Sequence, residues 1–339
     1  MLVSEGIKKR TVKPGFCCYG IVDHCMLRCK MCYKWKEDIA VKNPRDVPSM
    51  RDWKTCTDSL REITGPGFLI NFGGGEPLLK RDLLELVKHC KKKRFITNIA
   101  TNAYLIDEDM ARRIADSGLD SINVSLDSLD DKIHDFLRGI PGVFGRAMKA
   151  IEYLDRYCTD LEIIICSVIY DISQDGIVDL VKWANSDSRI TRIIFMAAMQ
   201  PNNTPLDGHW YENEHSFLWP KDPDRVCGKI DEILDLKRQG YNVGNEIFQL
   251  EAFKRYFHNP GNFVKKGKCN LDKAIHVSSV GDIYMCYRRV LLGNIKKDNL
   301  ADLWYSEKAD EIRKTISSCE DNCHFLLNCY FEEESFDER

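Results

Sequence analysis

The chain lacks a long apolar run, a signal-like N-terminus and an excess of either charge. None of its apolar stretches is long enough to span a bilayer, and its polar first thirteen residues have no secretory-signal core. Lys and Arg number 49 against 52 Asp and Glu, so the charge balance gives no reason to expect nucleic-acid binding. These absences predict a cytoplasmic protein that partners neither membrane nor nucleic acid.

Cysteine, in contrast, is abundant, with 15 residues in a chain of 339. In the reducing cytoplasm, such a number favours metal ligation over disulfides. Three cysteines fall within residues 25–32 and five follow residue 268. The other seven lie mostly in apolar or amphipathic segments, and we expect them to pack in the core: Cys17, Cys18, Cys56, Cys90, Cys158, Cys166 and Cys227.

Short apolar runs alternate with helical patterns from residue 16 to about residue 240. The predicted strands are Phe16–Val22, Gly67–Phe72, Phe95–Thr101, Ser121–Leu126, Leu161–Ile169 and Arg192–Met199. Nearly continuous apolar runs are typical of parallel strands that helices cover on the outside. We therefore predict an α/β fold in which a partial (β/α)6 TIM-like barrel spans residues 15–240. A tail over 1–14 precedes this barrel, and a small α+β extension over 241–339 follows it.

Polar or glycine-rich signals follow each of the first four predicted strands. They are the cysteine run at 25–32, Gly73–Pro77, Thr101–Asn102 and Ser125–Asp127. In a β/α barrel the reactive groups gather at the carboxyl ends of the strands. The four signals are therefore expected to share one rim of the sheet.

The cysteine run offers three thiolates on one short loop, at Cys25, Cys29 and Cys32. A four-iron, four-sulfur cluster normally takes four cysteines, so three would leave one iron open for another ligand. Zinc remains an alternative on spacing alone.

The other rim residues suit a ligand with amino, carboxylate and hydroxyl groups. Glycines let backbone approach a ligand closely, and Glu76 offers a carboxylate to an ammonium group. Arg138 could clamp a carboxylate with two hydrogen bonds. Asn102, Ser125 and Asp127 can hydrogen-bond hydroxyls or a carboxylate, although Asp127 could equally cap the next helix. An amino acid fused to a ribonucleoside carries all of these groups.

Cys25-x3-Cys29-x2-Cys32 together with Gly74-Gly75-Glu76-Pro77 resembles the radical S-adenosylmethionine (radical SAM) superfamily, over roughly residues 15–220. The resemblance implies a [4Fe–4S] cluster on the three cysteines whose open iron binds S-adenosyl-L-methionine. It implies one-electron cleavage of that molecule to a 5′-deoxyadenosyl radical, which removes hydrogen from a substrate. The cofactor contacts that we expect are Gly74, Gly75, Glu76, Asn102, Ser125, Asp127 and Arg138.

The C-terminal cysteines form a second group. Cys269 and Cys286 flank a predicted hairpin, Lys273–Tyr284, and the remaining three follow a predicted helix, Asn299–Ser317. Zinc ribbons use similar paired ligands, so on spacing alone zinc is an alternative for this group. The spacing around Gly281 resembles the SPASM/Twitch extension of radical SAM enzymes, which implies an auxiliary iron–sulfur cluster. A single [4Fe–4S] cluster is the better match, with its ligands drawn from Cys269, Cys286, Cys319, Cys323 and Cys329.

The sequence thus predicts a radical SAM oxidoreductase or maturase that modifies a small molecule or a peptide. The alternatives are a peptide maturase of the ribosomal-peptide or sulfatase type and a non-catalytic iron–sulfur or zinc protein. We expect flavodoxin or ferredoxin as electron donor. The possible substrate contacts, each of which could instead be packing or loop structure, are Tyr170, Asp171, His209, Trp210 and Tyr287.

Overall fold

The computed structural model describes residues 12–35, 47–205, 207–262, 269–286, 290–319 and 327–328. The statements about structure below concern these residues. Within them, no helix is long and apolar enough to cross a membrane.

Six parallel strands form the barrel sheet in the order of the chain. They are β1 (Phe16–Val22), β2 (Leu69–Gly74), β3 (Ile96–Thr101), β4 (Ser121–Ser125), β5 (Glu162–Ile169) and β6 (Arg192–Ala197). Each strand overlaps its prediction, and the bounds differ by at most a few residues. The α/β partial barrel with a C-terminal extension is therefore confirmed.

The first six helices connect these strands and cover the outer face of the sheet, and two more follow β6. They are α1 (Met50–Ile63), α2 (Leu83–Lys92), α3 (Glu108–Ser117), α4 (Asp131–Arg138), α5 (Val143–Tyr157), α6 (Ile177–Ser186), α7 (Pro223–Arg238) and α8 (Ile247–His258). On α2, the apolar residues at Leu83, Leu86, Val87 and Cys90 are all buried. Burial of such stripes stabilises the helices by removing apolar surface from water.

The C-terminal part continues the same sheet. Strand β7 (Ala274–Val277) pairs in parallel with β1, in a register that sets Phe16 opposite Ala274. Strands β8 (Asp282–Tyr284) and β9 (Gly293–Asn294) follow in antiparallel pairing, which confirms the predicted hairpin. The pairing of β7 with β1 was not predicted, because an apolar pattern does not specify which strand will be its neighbour. Within the part of the chain that the structure describes, the sheet has nine strands, in the order β6-β5-β4-β3-β2-β1-β7-β8-β9.

The predicted helix Asn299–Ser317 is wrong as a single element. The structure divides it into α9 (Leu300–Trp304) and α10 (Glu307–Ser317). The side chain of Ser306 accepts a hydrogen bond from the Ala309 amide, so it caps the start of a new helix.

The predicted boundary at residue 240 falls beside a segment that stays attached to the barrel. The Ile193 amide of β6 donates to the Asn242 carbonyl at 3.0 Å, and helix α8 packs against α7. The domain limits themselves stay a prediction.

Candidate active site

A cavity of about 290 Å³ opens at the carboxyl ends of the barrel strands. Most of the predicted site residues line it together: Cys25, Cys29, Cys32, Gly74, Gly75, Asn102, Ser125 and Arg138. Glu76 and Asp127, in contrast, are buried behind the cavity wall and do not line it. The rim predicted from the strand ends is therefore present, with two carboxylates set back from it.

The first half of the cysteine loop is held against the C-terminal end of α4. The amides of Arg28 and Lys30 donate to the carbonyls of Arg138 and Leu137 at 3.2 and 2.8 Å. Gly139 follows with φ 74°, and a Cβ at this position would lie 2.0 Å from the Arg28 carbonyl oxygen. Only glycine permits this approach, so the loop and the end of α4 are positioned together.

The second half of the loop is held by the segment after β6. The Tyr33 amide donates to the Asn202 carbonyl at 3.0 Å, and the Asn202 amide donates to the Met31 carbonyl at 3.1 Å. The three thiols thus lie on a loop that backbone hydrogen bonds fix on both sides. Neither anchor was predicted from the sequence, because both depend on contacts between distant segments.

The glycines after β2 have a packing reason beyond the ligand contact that we predicted. Gly74 has φ 119°, and a Cβ there would lie 2.3 Å from the Val22 carbonyl oxygen. A Cβ on Gly75 would lie 2.1 Å from the His24 carbonyl oxygen. These two residues allow the loop after β2 to lie directly against the chain that leads into the cysteine loop.

The carboxylate of Glu76 is fully buried and joins the ends of β2 and β3. Its Oε1 accepts from Thr101 Oγ1 at 2.7 Å and from the Leu78 amide at 3.1 Å, while Oε2 accepts from the Asn102 amide at 2.9 Å. Burial raises the pKa of Glu76 to about 6, although these hydrogen bonds act to lower it. The structure thus gives Glu76 protein donors, and its contact with an ammonium group stays a prediction.

Asn102 serves both the loop and the cavity. Its Oδ1 accepts from the Tyr104 amide at 3.0 Å, which is the turn role expected for asparagine. Its Nδ2 lies 3.5 Å from Met26 Sδ and 3.7 Å from Cys25 Sγ. A side chain in this position can contact a ligand bound next to the first thiol.

Asp127 pairs with Arg138 and does not cap the next helix. Its Oδ2 lies 2.7 Å from Arg138 Nη2, and its Oδ1 accepts from the Val168 amide at 3.1 Å. Asp130 takes the capping role instead, by accepting from the first amides of α4. Direct contact between Asp127 and a cofactor stays a prediction, because its carboxylate is buried behind Arg138.

Arg138 brings a charged donor to the cavity wall. Burial acts to lower the pKa of Arg138, but the nearby Asp127 carboxylate outweighs it, and the pKa rises above its ordinary value. Its Nε is buried and has no hydrogen-bond partner among the described residues. A charged guanidinium that pairs with one carboxylate and also lines the cavity suits a ligand that carries a second carboxylate.

The donor set of the cysteine loop fits an iron–sulfur cluster. Burial raises the pKa of all three thiols, that of Cys29 to about 11, and metal binding would replace those protons. In the described part of the chain, no three Cys, His, Asp or Glu side chains are placed to hold a single metal ion. Each cysteine of a four-iron cluster binds a different iron, so its thiols need not converge on one point.

Apart from Tyr170, the far wall of the cavity was missed from the sequence. It comes from the carboxyl ends of β5 and β6 and from the segment after β6: Cys166, Val168, Tyr170, Met196, Ala197, Met199, Gln200 and Asn202. The prediction that Cys166 packs in the core is wrong, since it lies at this wall. The sequence did contain a signal for this wall, because these residues lie at or after the ends of predicted strands, as the four predicted motifs do.

The residues predicted as possible substrate contacts lie in different environments. Tyr170 lines the cavity, whereas Asp171 binds the side chain of Gln174 and Trp210 is buried in an aromatic cluster. His209 is exposed beside Glu212, and Tyr287 lies outside the described residues.

The C-terminal cysteines lie around the added strands. Cys269 precedes β7, Cys286 follows β8 and Cys319 follows α10, while Cys323 and Cys329 lie outside the described residues. The hairpin is tied to the cysteine loop through Asp23, which accepts from Ser279 Oγ and pairs with Lys34 Nζ at 2.5 Å.

Three thiols and an arginine donor at the rim of a parallel barrel define a cofactor-binding α/β barrel protein. Comparison with known families identifies the family to which the chain belongs. Residues 19–184 match the radical SAM superfamily, and residues 269–330 match the iron–sulfur cluster-binding SPASM domain. The chain belongs to the radical SAM superfamily and carries a C-terminal SPASM domain. Members of this superfamily are enzymes.

These domains imply the cofactors that we predicted. A radical SAM domain implies a [4Fe–4S] cluster and S-adenosylmethionine, and a SPASM domain implies auxiliary iron–sulfur clusters. The number of auxiliary clusters and their ligands stay predictions.

Two curated relatives differ in how far the similarity extends. Fe-coproporphyrin III synthase of Methanosarcina barkeri is 33% identical over 134 residues, which cover 40% of this chain and 32% of the synthase. Mycofactocin maturase MftC of Mycolicibacterium smegmatis is 26% identical over 316 residues, which cover 89% of this chain and 73% of the maturase. The chain therefore spans about a third of the first relative and most of the second.

A solved structure shares the fold over nearly the whole chain. Streptococcus suis SuiB bound to S-adenosylmethionine aligns with a TM-score of 0.67 and 19% identity, covering 94% of this chain and 74% of SuiB. SuiB has also been solved with its precursor peptide SuiA. This likeness shows the fold of the chain.

Proposed function

We propose that this protein is a radical SAM enzyme that cleaves S-adenosylmethionine reductively and removes hydrogen from a small molecule or a peptide. One observation carries the proposal. Three cysteine thiols, a glycine-lined edge and the charged side chain of Arg138 meet in one cavity at the strand ends.

In this proposal, Cys25, Cys29 and Cys32 hold the cluster. Arg138 binds the carboxylate of the methionine group at the cavity wall, and the Asp127 carboxylate keeps the guanidinium in place. When cluster and S-adenosylmethionine are bound, they supply one-electron cleavage of the sulfonium to methionine and a 5′-deoxyadenosyl fragment that accepts hydrogen from the substrate.

The remaining rim residues orient the cofactor. Backbone at Gly74 and Gly75 lines the cavity without side chains, so a ligand can lie directly against it. Ser125 offers a hydroxyl and Asn102 an amide for the ribose. Glu76, by fixing Thr101 and the Asn102 backbone, holds this part of the rim in position.

The far wall excludes water from the reacting atoms. Val168, Met196 and Met199 line it with apolar surface, and Tyr170 is almost completely buried there. We propose that the substrate enters beside this wall.

In this proposal, flavodoxin or ferredoxin supplies the electron, and Cys269, Cys286 and two of the last three cysteines hold one auxiliary cluster.

Removal of a proposed cluster ligand tests the function. We expect Cys29→Ala, purified and reconstituted without oxygen, to form no 5′-deoxyadenosine with S-adenosylmethionine and reductant. The triple alanine variant of the loop cysteines should bind about four irons per chain where the wild type binds about eight. Cys158→Ala is the matched control, because Cys158 contacts the Ala111 carbonyl away from the cavity. We expect it to keep both properties.

The same experiment can overturn the proposal. If Cys29→Ala still produced 5′-deoxyadenosine, the loop would not hold the catalytic cluster. If the anaerobically purified wild type carried zinc and never cleaved S-adenosylmethionine, the protein would be a non-catalytic metalloprotein.

The substrate class divides into two candidates, and the relatives support both. The similarity to a synthase of Fe-coproporphyrin III supports a small molecule, and the shared fold with SuiB supports a peptide. We would measure 5′-deoxyadenosine formation with extracts of the source cells, before and after treatment with an unspecific peptidase. Loss of stimulation after peptidase identifies a peptide, and unchanged stimulation identifies a small molecule.

A further inference from the structure

The backbone after β4 passes from the sheet to helix α4 within two residues. The Leu126 amide still donates to the Cys166 carbonyl of β5 at 3.0 Å. The next amide, that of Asp127, donates instead to His134 Nδ1 on α4 at 3.2 Å. Asp127 is buried, so without the histidine this amide would have neither a strand nor water to pair with.

This contact determines the form of the His134 ring. A backbone amide can only donate, so Nδ1 is the unprotonated nitrogen and Nε2 carries the proton. Burial lowers the pKa of His134 to about 4, and the nearby charge of Arg138 acts in the same direction. The ring is therefore neutral near neutral pH and accepts at Nδ1.

The same helix holds the Asp127 carboxylate one turn further on. Arg138 follows His134 by four residues, so both side chains lie on one face of α4. Arg138 Nη2 lies 2.7 Å from Asp127 Oδ2, and the Val168 amide donates to Asp127 Oδ1 at 3.1 Å. One residue of α4 thus holds Asp127 at its backbone and another holds it at its carboxylate, and the second of these lines the cavity.

Packing alone gives little reason for a histidine at position 134. The side chain is fully buried, and its Nε2 has no hydrogen-bond partner among the described residues. A buried donor without a partner costs free energy. An apolar side chain would remove that donor but would leave the Asp127 amide unpaired in its place. What the histidine adds is a fixed position of Asp127 relative to α4.

We propose that His134 is a positioning residue, which fixes Asp127 against α4 and so holds the Arg138 guanidinium in place for a carboxylate at the cavity wall. Two contacts one turn apart restrict rotation of α4 about the ion pair. The inference rests on the proposed function in one respect, namely that Arg138 binds the carboxylate of S-adenosylmethionine. His134 itself does not line the cavity, so it acts through its two neighbours.

The test compares two ligands that differ in one group. They are S-adenosylmethionine and decarboxylated S-adenosylmethionine, which keeps the amino group, the sulfonium and the nucleoside. Binding of each to the full chain, reconstituted with iron and sulfide without oxygen, is measured by calorimetric titration. We expect the wild type to bind S-adenosylmethionine more tightly, and the ratio of the two dissociation constants reports the contacts of the carboxylate.

Three substitutions at His134 separate the acceptor from the packing. His134→Leu removes the acceptor and should weaken binding of S-adenosylmethionine about fivefold, the size of one hydrogen bond, with binding of the decarboxylated ligand unchanged. His134→Asn should restore the wild-type ratio, because asparagine Oδ1 stands as far along the side chain as histidine Nδ1. His134→Gln carries the same amide one bond further out and should behave like His134→Leu.

His89→Leu is the control at another histidine. His89 Nε2 lies 2.7 Å from Asp58 Oδ1, in a pair between α2 and α1, and neither residue lines the cavity. We expect this variant to keep both dissociation constants at their wild-type values. Circular dichroism monitors the fold, and if His134→Leu does not fold, the comparison of His134→Asn with His134→Gln decides.

A wild-type ratio in both His134→Leu and His134→Gln would overturn the proposal, because the histidine would then only support the fold. An equal loss of affinity for both ligands would also overturn it. A wild type that binds the two ligands equally would contradict the role of Arg138 in the proposed function, and the inference with it. A wild type that prefers S-adenosylmethionine but never cleaves it would contradict the proposed function alone.

Discussion

The two halves of the cavity rim each contain a buried carboxylate, and they use it differently. At the ends of β2 and β3, Glu76 accepts from one hydroxyl and two backbone amides. Beyond β4, Asp127 accepts from one backbone amide and pairs with the guanidinium of Arg138, which lines the cavity. The first carboxylate joins two loops, whereas the second holds a cation that can bind a ligand.

This difference follows from the partners and not from the residue type. Hydrogen bonds from uncharged donors stabilise the charge of Glu76 only in part, so burial still raises its pKa. Asp127 has a full positive charge beside it, and the Arg138 side chain that carries this charge also lines the cavity. A buried acid at a strand end can therefore be part of the scaffold or part of the binding site.

The largest expected effect comes from removing the cation. Arg138→Leu leaves the fully buried Asp127 carboxylate without its charge partner, which should lower the free energy of unfolding by about 3–5 kcal/mol. Binding of S-adenosylmethionine should weaken as well. Denaturant unfolding and a binding titration measure the two effects.

A double variant serves as control for this prediction. Adding Asp127→Asn removes the unpaired charge, so most of the stability should return while binding stays weak. If the double variant were no more stable than Arg138→Leu, the buried charge would not be the cause.

The second expected effect concerns pH and the Glu76 half of the rim. Burial raises the pKa of Glu76 from an ordinary value of 4.5 to about 6, so between these values the folded state binds more protons than the unfolded state. Stability from this group is therefore full below about pH 4.5 and is lost as the pH rises through 6. The loss amounts to about 2 kcal/mol.

Glu76→Gln removes this titration and provides the reference. We expect the free energy of unfolding of the wild type to fall relative to that of the variant as the pH rises through this range. A difference that stays constant with pH would contradict the raised pKa.

The smallest expected effect comes from one hydrogen bond to the same carboxylate. Thr101→Val removes the hydroxyl that donates to Glu76 Oε1, which should cost about 1 kcal/mol and raise the pKa of Glu76 further. Thermal unfolding at two pH values measures both effects. Thr159 is exposed, and Thr159→Val should change neither the stability nor the pKa of Glu76. An equal loss of stability in both variants would show that the effect does not come from the hydrogen bond to Glu76.

Local patterns predicted much of the fold. The six barrel strands and the hairpin follow from apolar runs and turn residues, because neighbouring residues determine them. The rim followed from strand order, since parallel strands place their carboxyl ends on one side. The split of α9 from α10 depended on the cap at Ser306, which the apolar pattern does not show.

The parts that were missed depend on contacts between distant residues. The set-back position of Glu76 is determined by Thr101 and Asn102, and that of Asp127 by Arg138 and Val168. The residues next to these donors in the sequence show no pattern that would mark them as partners of a buried carboxylate. The motif residues could therefore be named from the sequence, but which of them face the cavity could not.

The parallel pairing of β1 with β7 has a consequence for synthesis of the chain. Phe16 lies opposite Ala274, so one edge of the first strand stays open until most of the protein has left the ribosome. Open strand edges are sites where nascent chains pair with one another. In a growing polypeptide of this protein, this edge of β1 therefore stays exposed through most of translation, until the hairpin between Cys269 and Cys286 pairs with it.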